Sequence, residues 1–179
     1  MSFITQVFSN INTVGAVAPS SKYLTQKMIK PIDFENAEVI VELGAGTGVM
    51  TKAILKKMKP TARLISFEIN TDFIENLEKI NDPRFLLLNE SVENFKSILE
   101  NLGIKKVDYV VSGLPIAILK DLLVNKLLAE VSTSLNENGK FIQFQYSKFS
   151  LNDLKKLFTD VKTDFTPLNL PPAWVYVCQ

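Results

Sequence analysis

Residues 39–48 read Val-Ile-Val-Glu-Leu-Gly-Ala-Gly-Thr-Gly, and residues 64–68 read Leu-Ile-Ser-Phe-Glu. The first stretch joins an apolar strand to a glycine-rich turn, after which a helix is predicted. The second stretch is a strand that ends in an acid, Glu68, twenty positions after Gly48. Together they form the first part of a nucleotide-binding βαβ unit, in which glycines let the backbone approach a ligand and the acid reaches a ribose.

The spacing of the glycines separates two classes of cofactor. A dinucleotide fingerprint needs G-x-G-x-x-G with a helix aimed at a pyrophosphate. Here Gly44, Gly46 and Gly48 follow G-x-G-x-G, and Glu42 lies just before them. An acid at that place suits a ligand with an ammonium group and no phosphate, so we expect S-adenosyl-L-methionine as the cofactor. The alternative is a packing turn in another α/β protein, but strand, turn, helix and second acid agree with one another.

The pattern E-L-G-x-G-T-G resembles motif I of the class I S-adenosylmethionine-dependent methyltransferases. The rest of the chain alternates in a compatible way, with strands predicted near 38–43, 63–68, 84–88, 107–112, 139–145, 160–165 and 174–178. Helices are predicted near 47–58, 70–80, 91–101, 117–135 and 152–158. We therefore expect an α/β, Rossmann-like fold with a seven-stranded, mostly parallel sheet and an antiparallel last strand. Residues 1–35 are predicted to form a helical cap or lid on a core of residues 36–179, within one structural domain.

The predicted cofactor site follows the carboxyl ends of the strands, where ligands bind in such sheets. The residues assigned to it are Glu42, Gly44, Ala45, Gly46, Thr47, Gly48, Glu68, Ile69, Glu90, Ser91 and Ser112. Class I methyltransferases often hold the adenine with an acid at the end of the third strand, usually aspartate, and Glu90 occupies that place here. The alternative role for Glu90 is a charge favoured by the dipole of the following helix.

The predicted methyl-acceptor site consists of Ser112, Gly113, Leu114, Pro115 and Tyr146. Methyl transfer depends mainly on in-line positioning, and an amine must be neutral when it attacks. Carbonyl groups near Ser112 and Gly113 are suited to accept hydrogen bonds from such an amine. The Tyr146 ring follows the fifth strand and is suited to hold a growing ammonium cation.

Composition excludes several other classes of function. The chain of 179 residues contains no histidine, which rules out Ser-His-Asp hydrolysis and histidine metal sites, and we expect no metal. Its single cysteine, Cys178, has no internal partner for a disulfide. The net charge of +1 gives no global field for nucleic acid. No apolar stretch is long enough to span a membrane, and we expect a cytoplasmic protein with peripheral contact at the inner membrane face. The sequence leaves the oligomeric state open.

Three short motifs narrow the family. They are V-G-A-V-A-P-S-S at Val14–Ser21, S-G-L-P at Ser112–Pro115 and P-P-A at Pro171–Ala173. All three are similar to segments of the bacterial phospholipid N-methyltransferases, and the resemblance extends from about residue 5 to residue 179. It implies stepwise methylation of phosphatidylethanolamine to phosphatidylcholine, with an N-terminal amphipathic helix docked on anionic lipid.

The N-terminal segment departs from that family. Residues 3–11 place Phe3, Phe8 and other apolar side chains on one helical face, but residues 1–21 contain no lysine or arginine. Each missing basic residue forgoes about 1 kcal/mol of attraction to an anionic membrane. We therefore expect the membrane surface to be a weak partner. The alternative is that this apolar face covers the core or the cofactor.

Two other functions remain as alternatives. The ribosomal RNA adenine dimethylases share motif I, but an aromatic residue stacks on the target base where this chain has Ile116. We also expect no additional C-terminal domain, and the basic cluster of residues 52–63 has the spacing of a solvated helix face, so nucleic acid ranks below lipid. The second alternative is a non-catalytic relative that only binds the cofactor. The combination of Glu42, three glycines and Glu68 argues against it.

Overall fold

A computed structural model describes residues 22–119, 121–146 and 151–179 of the chain. The amphipathic face predicted over residues 3–11 and the motif at Val14–Ser21 lie outside these ranges. The described helices are α1 (Lys22–Ile29), α2 (Val49–Lys57), α3 (Thr71–Leu77), α4 (Phe95–Asn101), α5 (Asp121–Ser134) and α6 (Leu151–Leu157). The described strands are β1 (Val39–Leu43), β2 (Arg63–Phe67), β3 (Phe85–Leu88), β4 (Val107–Ser112), β5 (Leu135–Gln145), β6 (Val161–Thr166) and β7 (Ala173–Cys178).

The described strands form a single seven-stranded sheet in the order β3-β2-β1-β4-β5-β7-β6. Strand β1 pairs in parallel with β2 and β4, β2 with β3, and β4 with β5. Strand β7 runs antiparallel to both β5 and β6. The prediction of a mostly parallel sheet with an antiparallel last strand is therefore confirmed.

Helices cover both faces of this sheet, as continuous apolar strands require. Val41 and Leu43 point to one face, where they pack with residues of α4, α5 and α6. Ile40 points to the other face and packs with residues of α1 and α2. The alternation along β1 thus divides the core into two layers.

The predicted boundaries near residues 117 and 139 were wrong. The helix predicted over residues 117–135 is preceded by a 3₁₀ turn at Ile116–Ile118 and an extended Leu119, and α5 begins only at Asp121. Ile116 and Leu119 are both buried, so core packing decides the path of this segment against its helical pattern. Strand β5 begins at Leu135 and not at residue 139, because Leu135 already pairs with Val107.

The longer β5 contains an irregularity that explains the second error. The register of β4 on β5 shifts between Val107 and Tyr109. At Gly139 a Cβ atom would lie 3.0 Å from backbone atoms of Asn136 and Asp108, so a side chain there would require this irregular backbone to shift by a few tenths of an ångström. The sequence pattern typical of a regular strand begins only after Gly139.

The order of the strands reverses at β1, with β2 on one side and β4 on the other. In open parallel sheets this switch point places a crevice beyond the carboxyl ends of the strands. Here the loops after β1 and β4 are tied together, since the Gly113 N–H donates to the Leu43 carbonyl at 2.8 Å. The fold thus brings the glycine turn and the Ser112–Pro115 loop to one edge.

Candidate functional site

The glycine turn after β1 has a backbone that favours glycine at each of its three glycine positions. Gly44, Gly46 and Gly48 have φ angles of 76°, 54° and 77°, all in the left-handed region. A Cβ atom at Gly44 would lie 3.0 Å from Leu114 Cδ2, and one at Gly48 would lie 2.9 Å from Leu77 Cδ2. At Gly46, by contrast, a Cβ atom would meet nothing within 4 Å. Only the middle glycine therefore has open space beside it.

Glu68, which follows β2, hydrogen-bonds to the backbone of this turn. Its Oε2 atom accepts a hydrogen bond from the Gly46 N–H at 2.7 Å. Its Oε1 atom accepts two more, from the N–H groups of Ile69 and Asn70, both at 2.8 Å. A carboxylate has about four acceptor positions. Three are already in use, and the side chain is buried, so Glu68 joins the glycine turn to the loop after β2.

Glu42 is a second buried acid close to the first. Its Oε2 atom accepts hydrogen bonds from the hydroxyls of Thr51 at 2.7 Å and Ser66 at 2.6 Å. Its Oε1 atom has no hydrogen-bond partner among the described residues. Burial raises the pKa of Glu42 to about 7; the negative charge of Glu68 adds to this rise, and the hydroxyls of Ser66 and Thr51 oppose it.

A small hollow of about 10 Å³ lies at this edge of the sheet. Its lining includes five of the predicted site residues, Gly44, Glu68, Ile69, Glu90 and Leu114, together with Phe67 and Val92. Glu68, which lines the hollow, also accepts the hydrogen bond from the Gly46 N–H. The structure thus brings residues from the ends of β1, β2, β3 and β4 into one lining.

The other predicted site residues do not line this hollow. They are Glu42, Ala45, Gly46, Thr47, Gly48, Ser91, Ser112, Gly113, Pro115 and Tyr146. Thr47 is exposed on the turn, and the Ser91 hydroxyl accepts a hydrogen bond from the Glu93 N–H at 3.3 Å, which caps the 3₁₀ turn at Val92–Asn94. The Ser112 hydroxyl accepts a hydrogen bond from the Leu114 N–H at 3.3 Å. Their assigned roles toward a ligand stay predictions.

Two glutamines that were not predicted from the sequence fix the position of the loop after β4. The side-chain amides of Gln143 and Gln145 both donate to the Leu114 carbonyl, at 2.9 Å and 3.2 Å. Both side chains are buried, and Gln143 lies directly beside Ser112 in the paired strands. The available signal was the alternation Phe-Ile-Gln-Phe-Gln over residues 141–145, which puts two polar residues on one face of a central strand.

Tyr146, directly after β5, lies near the β6–β7 connection. Its ring meets that of Phe144 edge to face, with centroids 5.6 Å apart, and its hydroxyl hydrogen-bonds the side chain of Asn169. Burial raises the pKa of Tyr146 above its ordinary value of 10, an effect that the bond to Asn169 partly opposes. The hydroxyl is therefore neutral at physiological pH, and the exposed ring is available as a π surface.

A larger depression, of about 440 Å³, lies at the opposite edge of the sheet, around Asp33, Asp108 and Asn136. The Asp108 carboxylate there accepts hydrogen bonds from the N–H groups of Glu38 and Val39 and from the Asn136 side chain. Its polar groups thus join the starts of β1, β4 and β5. We assign this depression a structural role, because Glu42 with its raised pKa and the glycines with positive φ angles lie at the other edge.

Two kinds of structural feature are absent from the described part of the chain. No helix there is long and apolar enough to cross a membrane. No cluster of three or more histidine, cysteine, aspartate or glutamate side chains there is arranged to hold a metal ion.

A family model and two relatives that are similar to this chain in sequence are all methyltransferases. The family model of the methyltransferase small domain matches residues 5–165. The ornithine lipid N-methyltransferase of Singulisphaera acidiphila is 35% identical, over 99% of this chain and 94% of that protein. The ribosomal RNA small subunit methyltransferase H of Christiangramia forsetii is 28% identical, over 75% of this chain and only 46% of that protein.

Among solved structures, human methyltransferase-like protein 13 in complex with SAH superposes with a TM-score of 0.67. The match covers 89% of this chain and 82% of the human one, at 15% sequence identity. At that level of identity the likeness concerns the fold alone.

Proposed function

Because the chain belongs to the methyltransferase small-domain family and is an S-adenosylmethionine-dependent methyltransferase, we propose that its methyl acceptor is the amine of a membrane-lipid headgroup. The observation that carries this proposal is the likeness to a lipid N-methyltransferase over 99% of the chain. Phosphatidylethanolamine and ornithine lipid each present a primary amine on a lipid, and they are the two acceptors we favour.

The residues at the carboxyl edge suit S-adenosylmethionine chemically. The cofactor would supply a methyl group already activated on a sulfonium. The Glu42 Oε1 atom, which has no partner within the described ranges, is a buried acceptor of the type that an ammonium group satisfies. The open space at Gly46 admits a ligand close to the backbone. Glu68 would receive the ribose hydroxyls, and accepting both of them requires its bond to the Gly46 N–H to give way.

The loop from Ser112 to Pro115 would hold the acceptor beside the cofactor. Its Leu114 carbonyl is already engaged by Gln143 and Gln145, so these glutamines set the position of the loop. A fixed loop contributes by orientation, which is the main requirement for an in-line transfer. Tyr146 would face the product side, where the amine becomes a cation.

Methylation of ribosomal RNA is the second candidate, and two features of the structure disfavour it. Ile116 is buried, so it offers no stacking surface for a base. In the basic cluster of residues 52–63, Lys59 pairs with Glu38 at 2.6 Å and the Lys57 ammonium lies over the Phe34 ring at 5.7 Å. Both contacts lie at the C-terminal end of α2, which is remote from the glycine turn and so from the proposed cofactor site.

The decisive test is transfer of a radiolabelled methyl group from S-adenosylmethionine. Phosphatidylethanolamine, ornithine lipid, ribosomal RNA and small soluble amines would be offered separately, with the lipids in detergent micelles. We expect label in at least one of the two lipids and none in RNA. Label in RNA alone, or in soluble amines alone, would refute the lipid proposal.

A further inference from the structure

The most exposed leucines of the described chain gather at one edge of the sheet. They are Leu170, Leu122 and Leu168, with 86%, 84% and 66% of their surface exposed. Leu122 lies in the first turn of α5, which follows the carboxyl end of β4. Leu168 and Leu170 lie between β6 and β7; since β6 runs parallel to β5, this connection is also at the carboxyl edge.

The connection of residues 167–172, which we call the β6–β7 loop, has an unusual composition. It reads Pro-Leu-Asn-Leu-Pro-Pro, and no charged residue occurs from residue 165 to residue 173. Exposed loops are normally polar, and exposed apolar side chains that are grouped together mark interaction sites.

The loop holds its leucines outward by an internal anchor. Asn169, between the two leucines, is 4% exposed and donates from Nδ2 to the Pro171 carbonyl at 2.7 Å. Its side chain also hydrogen-bonds the hydroxyl of Tyr146. One buried polar residue thus fixes the loop and connects it to the rim of the proposed acceptor site.

We propose that the β6–β7 loop inserts Leu168 and Leu170 into the surface of a lipid bilayer and so brings the acceptor site onto the membrane. The inference rests on the proposed function, because a lipid amine must reach Tyr146 and the Ser112–Pro115 loop without leaving the bilayer. A bilayer suits this loop better than a protein partner: the leucines meet an apolar phase, and no charge has to lose its water. It is a second contact, separate from the predicted N-terminal helix.

The test compares vesicle binding of the full chain with that of the double variant Leu168→Ser/Leu170→Ser. Flotation with vesicles of phosphatidylethanolamine and phosphatidylcholine measures the partition coefficient. We expect a decrease of about tenfold or more in the variant, since two leucines no longer enter the apolar phase. The control is Leu157→Ser, because Leu157 is 38% exposed at the end of α6, before β6 begins and hence at the opposite edge. Equal partition of the double variant and the wild type would overturn the inference.

Further measurements separate a failure of the loop from other failures. Thermal unfolding and S-adenosylmethionine binding should be the same in the double variant as in the wild type. Methylation of lipid in detergent micelles should also be unchanged, whereas methylation in vesicles should fall with partition. If neither protein methylates a lipid amine, the proposed function fails. The vesicle partition coefficients still test whether the β6–β7 loop binds the bilayer. A change in molecular mass with unchanged partition would show a contact between copies and reject the bilayer.

Discussion

Gly46 and Gly103 have similar backbone conformations in different places. Their φ angles are 54° and 70°, and a Cβ atom at either position would meet nothing within 4 Å. Alanine should cost each site about 1 kcal/mol of unfolding free energy, because of the left-handed backbone. Only Gly46→Ala should also weaken S-adenosylmethionine binding, since its methyl group enters the proposed cofactor space. We expect about a tenfold rise in the dissociation constant, equivalent to about 1.4 kcal/mol.

Urea unfolding and titration calorimetry on both variants provide the comparison. The Gly103→Ala variant controls for the backbone cost alone, because Gly103 follows α4 far from the glycine turn in sequence. If both variants bind the cofactor as tightly as the wild type, Gly46 does not face the ligand.

Glu68 is the acid on which the cofactor interpretation depends most. It accepts hydrogen bonds from Gly46, Ile69 and Asn70, and a glutamine can accept at only one of its two terminal atoms. Hydrogen bonds to a charged group contribute about 1.5–3 kcal/mol each. Glu68→Gln should therefore raise the cofactor dissociation constant by roughly ten- to a hundredfold, measured by calorimetry.

The matched control for Glu68→Gln is Glu75→Gln, which makes the same charge change at an exposed position on α3. It should leave cofactor affinity unchanged. Loss of affinity in both variants would point to net charge, and loss in neither would remove Glu68 from the ribose role.

At the scale of elements, β5 positions the loop that follows β4. The two buried amides of Gln143 and Gln145 share the Leu114 carbonyl as their acceptor. If one glutamine is replaced with leucine, the other glutamine still donates a hydrogen bond to the Leu114 carbonyl. Replacing both leaves a buried acceptor unsatisfied, at a cost of about 1–3 kcal/mol. We therefore predict that the double variant Gln143→Leu/Gln145→Leu loses more turnover than the sum of the two single variants.

Single-turnover rates and cofactor affinities of the four proteins test this coupling. Cofactor affinity should change little, because the glycine turn and Glu68 are untouched. Strict additivity of the losses in turnover would show that the glutamines act independently and not through the Leu114 carbonyl.

Stability of the whole molecule should depend on the charge of Glu42. Its pKa is 4.5 when unperturbed and about 7 in the folded protein. The folded state therefore binds the proton more tightly than the unfolded state. Stability from this group is fully present below pH 4.5 and is lost as pH rises through 7. The loss amounts to about 3 kcal/mol when complete.

Urea unfolding at pH 5 and pH 8 measures this loss in the ligand-free protein. Glu42→Gln carries no ionisable group at the site, so its stability should change less between the two pH values. Parallel behaviour of variant and wild type would assign the pH dependence to other groups.

The local sequence was sufficient for the glycine turn, the acid at the end of β2 and the strand–helix alternation. These features depend on short-range physics: glycines tolerate a left-handed backbone, and apolar runs specify buried strands. The use of S-adenosylmethionine, the architecture of the sheet and its antiparallel last strand followed from them. The boundaries of α5 and β5 did not, because the burial of Ile116 and Leu119 and the tight contact at Gly139 overrode the local pattern.

Only the tertiary structure decided which residues distant in sequence contact one another and which side chains are exposed. It placed Gln143 and Gln145 on a carbonyl 29 and 31 residues earlier in the chain. It also left one oxygen of Glu42 buried with no hydrogen-bond partner among the described residues, and it turned Leu168 and Leu170 outward around the buried Asn169. The physical reason is that hydrogen-bond partners and exposure depend on which strands become neighbours in the sheet, and no local pattern along the chain records that choice.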